Sequence, residues 1–301
     1  MSRLRGALKA AAEEVLGSKA LAAFHGTTRR RRSLILAYHN VVPEPGGQTG
    51  DRSLHIGFDR FRRHLDLLTD RVVIASLDQV IGGKAESGSV AITFDDAYAS
   101  AISLAFPELM QRGIPATIFI APGLLGQGIP WWDAIANGDE GLEDETREFC
   151  LEELGGSTAP ILEWARTQSS RFNTDTLCRI ATAGELSGIR GSSLITIGAH
   201  SWSHSNLGRA GPEQLRFELM RVMPWLLENF PGQDRPWLAY PYGLYSDEVV
   251  HAAKGNGYQA TFAIRGGWIA SSTSADVFPR LNIPAGLSSA GLAARINGYL
   301  L

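Results

Sequence analysis

Three short runs of this chain carry residue types that do chemistry when they meet. Asp95 and Asp96 are adjacent carboxylates at the end of the apolar run Val-Ala-Ile-Thr-Phe, 90–94. Two anions side by side repel, so keeping both ionised near neutral pH requires a cation or hydrogen-bond donors beside them. That implies a metal, unless the pair only turns the chain and caps a following helix. His200 and His204 stand four residues apart in His-Ser-Trp-Ser-His, directly after the apolar run 194–199. Spacing of four puts both imidazoles on one face of a helical turn, and neutral imidazole suits zinc and its first-row neighbours. With one carboxylate of the Asp pair they form a two-His, one-carboxylate set that leaves positions open for water and substrate. Alone, a His pair of this spacing is more often structural; the Asp pair at a second strand end is what favours a site. Pro241-Tyr242-Gly243 follows a third apolar run, 236–240. Pro fixes φ and Gly frees it, which locks a turn able to aim an amide N–H at developing negative charge, or simply turns the chain.

These residues need elements that bring them to one place. The runs 33–38, 90–94, 115–120, 194–199, 236–240 and 259–264 read as strands buried on both faces. Helical stretches lie between them, such as 97–112 closed by Gly113, and 213–229 with Leu215, Leu219, Val222 and Leu226 on one stripe. Because the reactive residues all follow strand C-termini, the expected fold is α/β, a closed or nearly closed (β/α) barrel of seven to eight strands. Residues 127–190 break the alternation with acidic helical stretches, 142–154 and 158–168, and a Gly155-Gly156 interruption. They read as a helical insertion that can cover the site, ending where the capping box Thr182 to Glu185 starts a barrel helix. Leu4, Leu8, Ala11, Val15 and Ala22 mark an amphipathic helix over 3–24, followed by Arg29, Arg30, Arg31 and Arg32. Residues 1–32 are thus an N-terminal helix and basic linker, and 33–301 the main domain. The basic run is a solvated face or a peripheral contact, through residues 3–32, with anionic lipid or a phosphate-bearing substrate.

Composition narrows the classes. The 301 residues carry 28 Lys plus Arg against 31 Asp plus Glu, a net charge of −3 that gives no global attraction to nucleic acid. Cys150 and Cys178 are too few for a disulfide framework and receive no role. No apolar stretch is long enough to span a bilayer, and Glu13, Glu14 and Lys19 interrupt any signal-peptide core, so a cytoplasmic location is expected. The oligomeric state is not readable.

Thr-Phe-Asp-Asp at 93–96, His-Ser-x-x-His at 200–204 and Pro-Tyr-Gly at 241–243 resemble, in order, the first three motifs of the polysaccharide deacetylases, the NodB-homology family. The resemblance covers about residues 33–285. It implies a distorted (β/α) barrel and metal-dependent hydrolysis of acetyl groups on sugars. By matching position it implies Asp95 as general base, Asp96, His200 and His204 as metal ligands, and the Tyr242 backbone N–H as oxyanion donor. The implied cofactor is a divalent metal, most often zinc, with cobalt or nickel as alternatives, and the implied partner an acetylated carbohydrate. Two positions depart from the family. Ala239 stands where many relatives have an Arg beside the base, and Arg280 is the candidate replacement. Leu281-Asn282-Ile283 lacks the histidine of the fifth motif, so the general acid is unassigned; His39, after the first strand, supplies a histidine from another direction or sits behind the site. Trp131, Trp132 and Trp202 can stack on a sugar or serve only packing.

The reading is a metal-dependent N-deacetylase acting on a glycan, glycolipid or glycosylated metabolite inside the cell. A deformylase or O-deacetylase on a lipid-linked sugar is the variant in the same chemistry, and a catalytically silent sugar-binding relative the variant without it. Magnesium-assisted phosphoryl transfer fits poorly, because paired histidines are weak magnesium ligands and no glycine-rich phosphate loop precedes a helix.

Overall fold

The computed structural model describes residues 32–43, 50–136, 141–168, 171–270 and 275–298; the helix expected at 3–24 and Arg29 to Arg31 lie outside them. The strands in chain order are β1 (Arg32–Tyr38), β2 (Asn40–Val42), β3 (His55–Gly57), β4 (Val90–Phe94), β5 (Ala116–Ile120), β6 (Ile195–Ala199), β7 (Asp234–Ala239), β8 (Ala260–Ile264), β9 (Ile269–Ala270) and β10 (Phe278–Asn282). Seven of them, β1, β4, β5, β6, β7, β8 and β10, form a parallel sheet that closes on itself when β10 pairs with β1. The expected closed barrel is therefore present, with seven strands.

Every residue of β4 and β5 is buried, because alternate side chains enter the barrel while the others pack under helices. That double burial is why these strands read as unbroken apolar runs. Ile35, Ala91, Phe119, Trp237, Ala239, Phe262 and Phe278 form one apolar cluster. Leu34, Leu36, Ile92 and Phe94, on the opposite faces of β1 and β4, belong to a second, which includes Phe61, Leu65, Phe106 and Leu109 of the surrounding helices. The same alternation carried four residues beyond Ile35, Ala91 and Phe278 leads to His39, Asp95 and Asn282 at the strand C-termini.

Several details depart from the expectation. Strands β2 and β3 pair only with each other, and β9 adds antiparallel to β1; all three are two or three residues long, too short to register as a pattern. The helix expected over 213–229 is two, Pro212–Met220 and Val222–Asn229, parted at Arg221. Pro224 has no N–H to bond the carbonyl four residues back, at Met220, which breaks the ladder there. The capping box forms, with Glu185 N donating to Thr182 Oγ1 at 3.2 Å and Thr182 N to Glu185 Oε2 at 2.8 Å. It opens only the 3₁₀ segment Glu185–Ile189, since Gly184 and Gly188 weaken helix propagation. Between β5 and β6 lie the helices Trp131–Ala134, Asp144–Glu152 and Thr158–Thr167.

Candidate active site

Asp95 continues the inward-facing row of β4, and its carboxylate meets Arg280 of β10 in a two-pronged ion pair, Nη1 to Oδ1 and Nη2 to Oδ2, both 2.7 Å. Arg280 is completely buried, its guanidinium 5.1 Å from the Phe119 ring centroid, and its Nη1 also donates to Thr93 Oγ1 at 3.2 Å. Burial opposes ionisation of Asp95, but Arg280, with His200 and His39 nearby, holds its carboxyl below the usual value.

On a strand, Asp96 would point away from Asp95. Its φ of 71°, followed by 59° at Ala97, turns the chain so that both carboxylates face one centre. The remaining non-glycine residues with left-handed backbone, among those described, are Ser201, His204 and Tyr242. All five belong to the three motif loops, and each conformation costs on the order of 1–3 kcal/mol that the surrounding fold must offset.

Asp96 Oδ1 lies 3.0 Å from His204 Nε2 and 3.4 Å from His200 Nε2. The two imidazole centroids are 4.7 Å apart. They meet across a loop, not on the helical turn that the spacing suggested, because Ser201 and His204 both turn left-handed. His200 Nδ1 stands 2.7 Å from the Ala239 carbonyl, so that nitrogen carries the proton and Nε2 presents its lone pair to the centre. Burial opposes charge on His200, yet Asp95 and Asp96 outweigh it and raise its pKa; at His204 burial prevails and the pKa is lowered. Burial likewise opposes ionisation of Asp96, while the two imidazoles keep its carboxyl well below the usual value. Among the described residues Asp96 Oδ1 is buried without a hydrogen-bond partner, and one carboxylate with two imidazoles is a donor set that fits a divalent first-row ion. These three residues could hold a metal.

A cavity of about 520 Å³ opens over this centre, lined by His39, Asp95, Asp96, His200, His204, Tyr242, Trp132 and Asn282 among others. The polysaccharide deacetylase family profile matches residues 82–261, well over half of the chain. The chain belongs to the polysaccharide deacetylase family. It is 24% identical over 268 residues to YxkH of Bacillus subtilis (strain 168), a protein named for this family, covering 87% of this chain and 75% of YxkH. The barrel superposes on the Streptococcus pyogenes deacetylase PplD, solved in complex with acetate, with a TM-score of 0.57 at 17% identity, covering 88% of this chain and 98% of PplD. It superposes on IcaB from Ammonifex degensii with a TM-score of 0.62 at 19% identity, covering 89% and 97%. At such identities the solved structures speak for the fold.

The catalytic and metal-ligand candidates named from the sequence all line this cavity, except Arg280, which lies beneath it against Asp95. His39 reaches it from the end of β1, beside Asn282, since Ala37 and Asn282 are partners in the β1–β10 pairing. Of the tryptophans, Trp132 forms a wall 4.6 Å from the His204 ring centroid. Trp131 is fully buried and donates to Tyr242 Oη at 2.8 Å, and Trp202 lies 4.2 Å from the Arg221 guanidinium, outside the cavity lining.

Neither residue type nor spacing pointed to the layer behind Trp132. Trp132 Nε1 donates to Tyr98 Oη at 2.7 Å, and Tyr98 Oη to Asp133 Oδ2 at 2.6 Å. Asp133 Oδ1 accepts from Asp51 N at 2.7 Å and stands 2.9 Å from His55 Nε2. His55, Asp133 and Cys178 lie close enough to cluster around an ion. The Asp133 oxygens are already committed to three partners, which makes the cluster a hydrogen-bond node that fixes Trp132. Asp51, Arg52, Asp144 and Arg147 add charge to the rim, Arg147 paired with Asp51 at 2.6 Å.

Proposed function

We propose that this chain is a metal-dependent hydrolase that removes N-acetyl groups from a carbohydrate. The observation that carries the reading is the single cavity whose floor joins an arginine-held carboxylate, Asp95, to the Asp96–His200–His204 set. The family membership supports the acetylated-sugar substrate class.

A divalent ion held by Asp96, His200 and His204, zinc in the first instance, would supply Lewis acidity toward the acetyl carbonyl and toward water. Asp95, kept ionised by Arg280, takes the proton from the attacking water. The Tyr242 N–H is not among those that close the turn, which are Gly243 N to Tyr240 O and Leu244 N to Pro241 O, and it donates to the developing oxyanion. His39, on the cavity wall beside Asn282, protonates the leaving amine in the role that the fifth-motif histidine would otherwise fill. Arg280 counts against a silent sugar-binding relative, because a guanidinium does reach the base although Ala239 stands where relatives place it. An intracellular acetylated amino sugar, in a glycan, glycolipid or glycosylated metabolite, is the substrate proposed.

Asp95 and Asp96 test the reading because they should fail differently. Asp96→Asn should lose metal, since a neutral amide oxygen is a weaker ligand. Asp95→Asn should keep its metal and lose about two to four powers of ten in acetate release from acetylated amino-sugar oligomers. Metal content and acetate release of the purified variants check this; full activity in either would reject the mechanism.

A further inference from the structure

The loop His200-Ser201-Trp202-Ser203-His204 is too short to hold its own shape. Only one hydrogen bond closes it internally, from His204 N to Ser201 Oγ at 3.0 Å. Its two imidazoles are also fixed unequally. His200 is oriented by Ala239 O, whereas His204 Nδ1 has no hydrogen-bond partner among the described residues. Apart from Asp96, 3.0 Å from its Nε2, His204 takes its direction from its backbone and from the Trp132 and Tyr242 rings, each 4.6 Å away.

That backbone is gripped from two sides. Gly123 N, after β5, donates to the Trp202 carbonyl at 2.7 Å. On the other side, Glu218 of the helix Pro212–Met220 accepts at Oε2 from Trp202 N at 2.9 Å and from Ser203 N at 2.8 Å, and at Oε1 from Ser203 Oγ at 2.5 Å. Glu218 is 2% exposed. A carboxylate is seldom buried to that degree without a partner that needs it, and among the described residues this one makes all its hydrogen bonds to the loop between the two histidines.

We propose that Glu218 is a positioning residue for the metal centre, a carboxylate clamp that sets the loop backbone and through it the His204 imidazole. This rests on the reading that Asp96, His200 and His204 hold a divalent ion. Glu218 touches neither the ion nor the substrate, so its contribution is read in metal affinity and ligand geometry.

The test measures zinc affinity of the full chain by competition with a chromophoric chelator, the visible spectrum of the cobalt form, and the melting temperature with and without metal. Glu218→Ala should weaken zinc binding about 10- to 100-fold, the range for residues that orient ligands, and alter the cobalt spectrum. Glu218→Gln should stay within about threefold of the parent, because an amide oxygen accepts from both N–H groups and the amide NH₂ can donate to Ser203 Oγ. Glu218→Asp, one methylene short, should bind zinc more weakly than Glu218→Gln. If the Ala variant does not fold, the Gln and Asp variants decide. Parent-like zinc affinity and cobalt spectrum in the Ala variant, or in the Asp variant if Ala does not fold, with only a lower apo melting temperature, would reduce Glu218 to a structural role. Weak binding in Gln with parent-like binding in Asp would also overturn the hydrogen-bond clamp. A parent chain that binds neither ion would instead overturn the metal reading itself.

Discussion

Arg280 donates two parallel hydrogen bonds to Asp95, and with both side chains almost fully buried the guanidinium is what keeps the carboxylate charged. Removing the guanidinium leaves burial as the dominant influence on Asp95, and burial raises a carboxyl pKa. A base must be ionised to accept a proton, so in Arg280→Ala the acidic limb of the rate profile should move to higher pH. At neutral pH kcat should fall by about two powers of ten, with much less change in KM. Arg280→Lys should recover little, because an ammonium cannot reproduce the planar fork. A pH–rate profile of the variants checks this, and an unchanged limb would leave Arg280 as a filler of the barrel interior. Asp95, Asp96, His200 and His204 were legible in the sequence because their roles depend on residue type and close spacing. Tyr98, Asp133 and Glu218 were not, because what they do depends on partners that the fold supplies; the Tyr98–Asp133 bond spans 35 residues.

The strands were legible element by element because burial on both faces writes an apolar run into the sequence, and β4 coincides with the run read at 90–94. Loops carry no such pattern. The His200–His204 spacing suggested a helical turn, and the backbone reaches the same convergence through left-handed residues that periodicity cannot reveal. The Gly155-Gly156 interruption is a case where the residue types did carry information. Both have positive φ, 61° and 64°. A Cβ on Gly156 would lie 2.9 Å from Tyr242 Cε2 and 3.0 Å from Asn206 N, whereas one on Gly155 meets nothing nearer than 3.9 Å. Tyr242 Oη donates to Gly156 O at 3.2 Å, so this segment braces the turn that carries the proposed oxyanion donor. Gly155→Ala should therefore cost about 1 kcal/mol of stability from backbone strain and leave turnover nearly intact. Gly156→Ala should cost at least as much and also displace Tyr242, lowering kcat about tenfold or more. Denaturant unfolding and acetate release on the two variants separate strain from collision. Equal turnover in both would detach this segment from the turn.

At the scale of the whole molecule, the barrel is completed by pairing its first strand with its last, and the site sits across that seam, with His39 from β1 and Arg280 and Asn282 from β10. His64, on the helix Phe58–Arg71, fastens the seam from outside. Its Nδ1 stands 3.2 Å from the Tyr38 hydroxyl and its Nε2 3.0 Å from the Leu287 carbonyl, just before the helix Ser289–Ile296. A carbonyl can only accept, so Nε2 carries the proton and Nδ1 takes the tyrosine hydrogen; this is the neutral imidazole. Burial, with Arg60 and Arg63 adding positive charge, brings its pKa from the usual 6.5 down to about 4. A folded-state pKa below the unfolded one means that the unfolded chain binds the proton more readily. The stability this histidine contributes is therefore full above about pH 6.5 and is lost as the pH falls toward 4. Between pH 8 and pH 5 the loss should be roughly 2 kcal/mol from this one group. His64→Gln offers an amide that can keep both hydrogen bonds without titrating, so its stability should decline less over that interval. Urea unfolding at a series of pH values checks it: if the parent and His64→Gln lose stability in parallel, the seam is not held by a neutral His64 and the acid sensitivity lies elsewhere in the barrel.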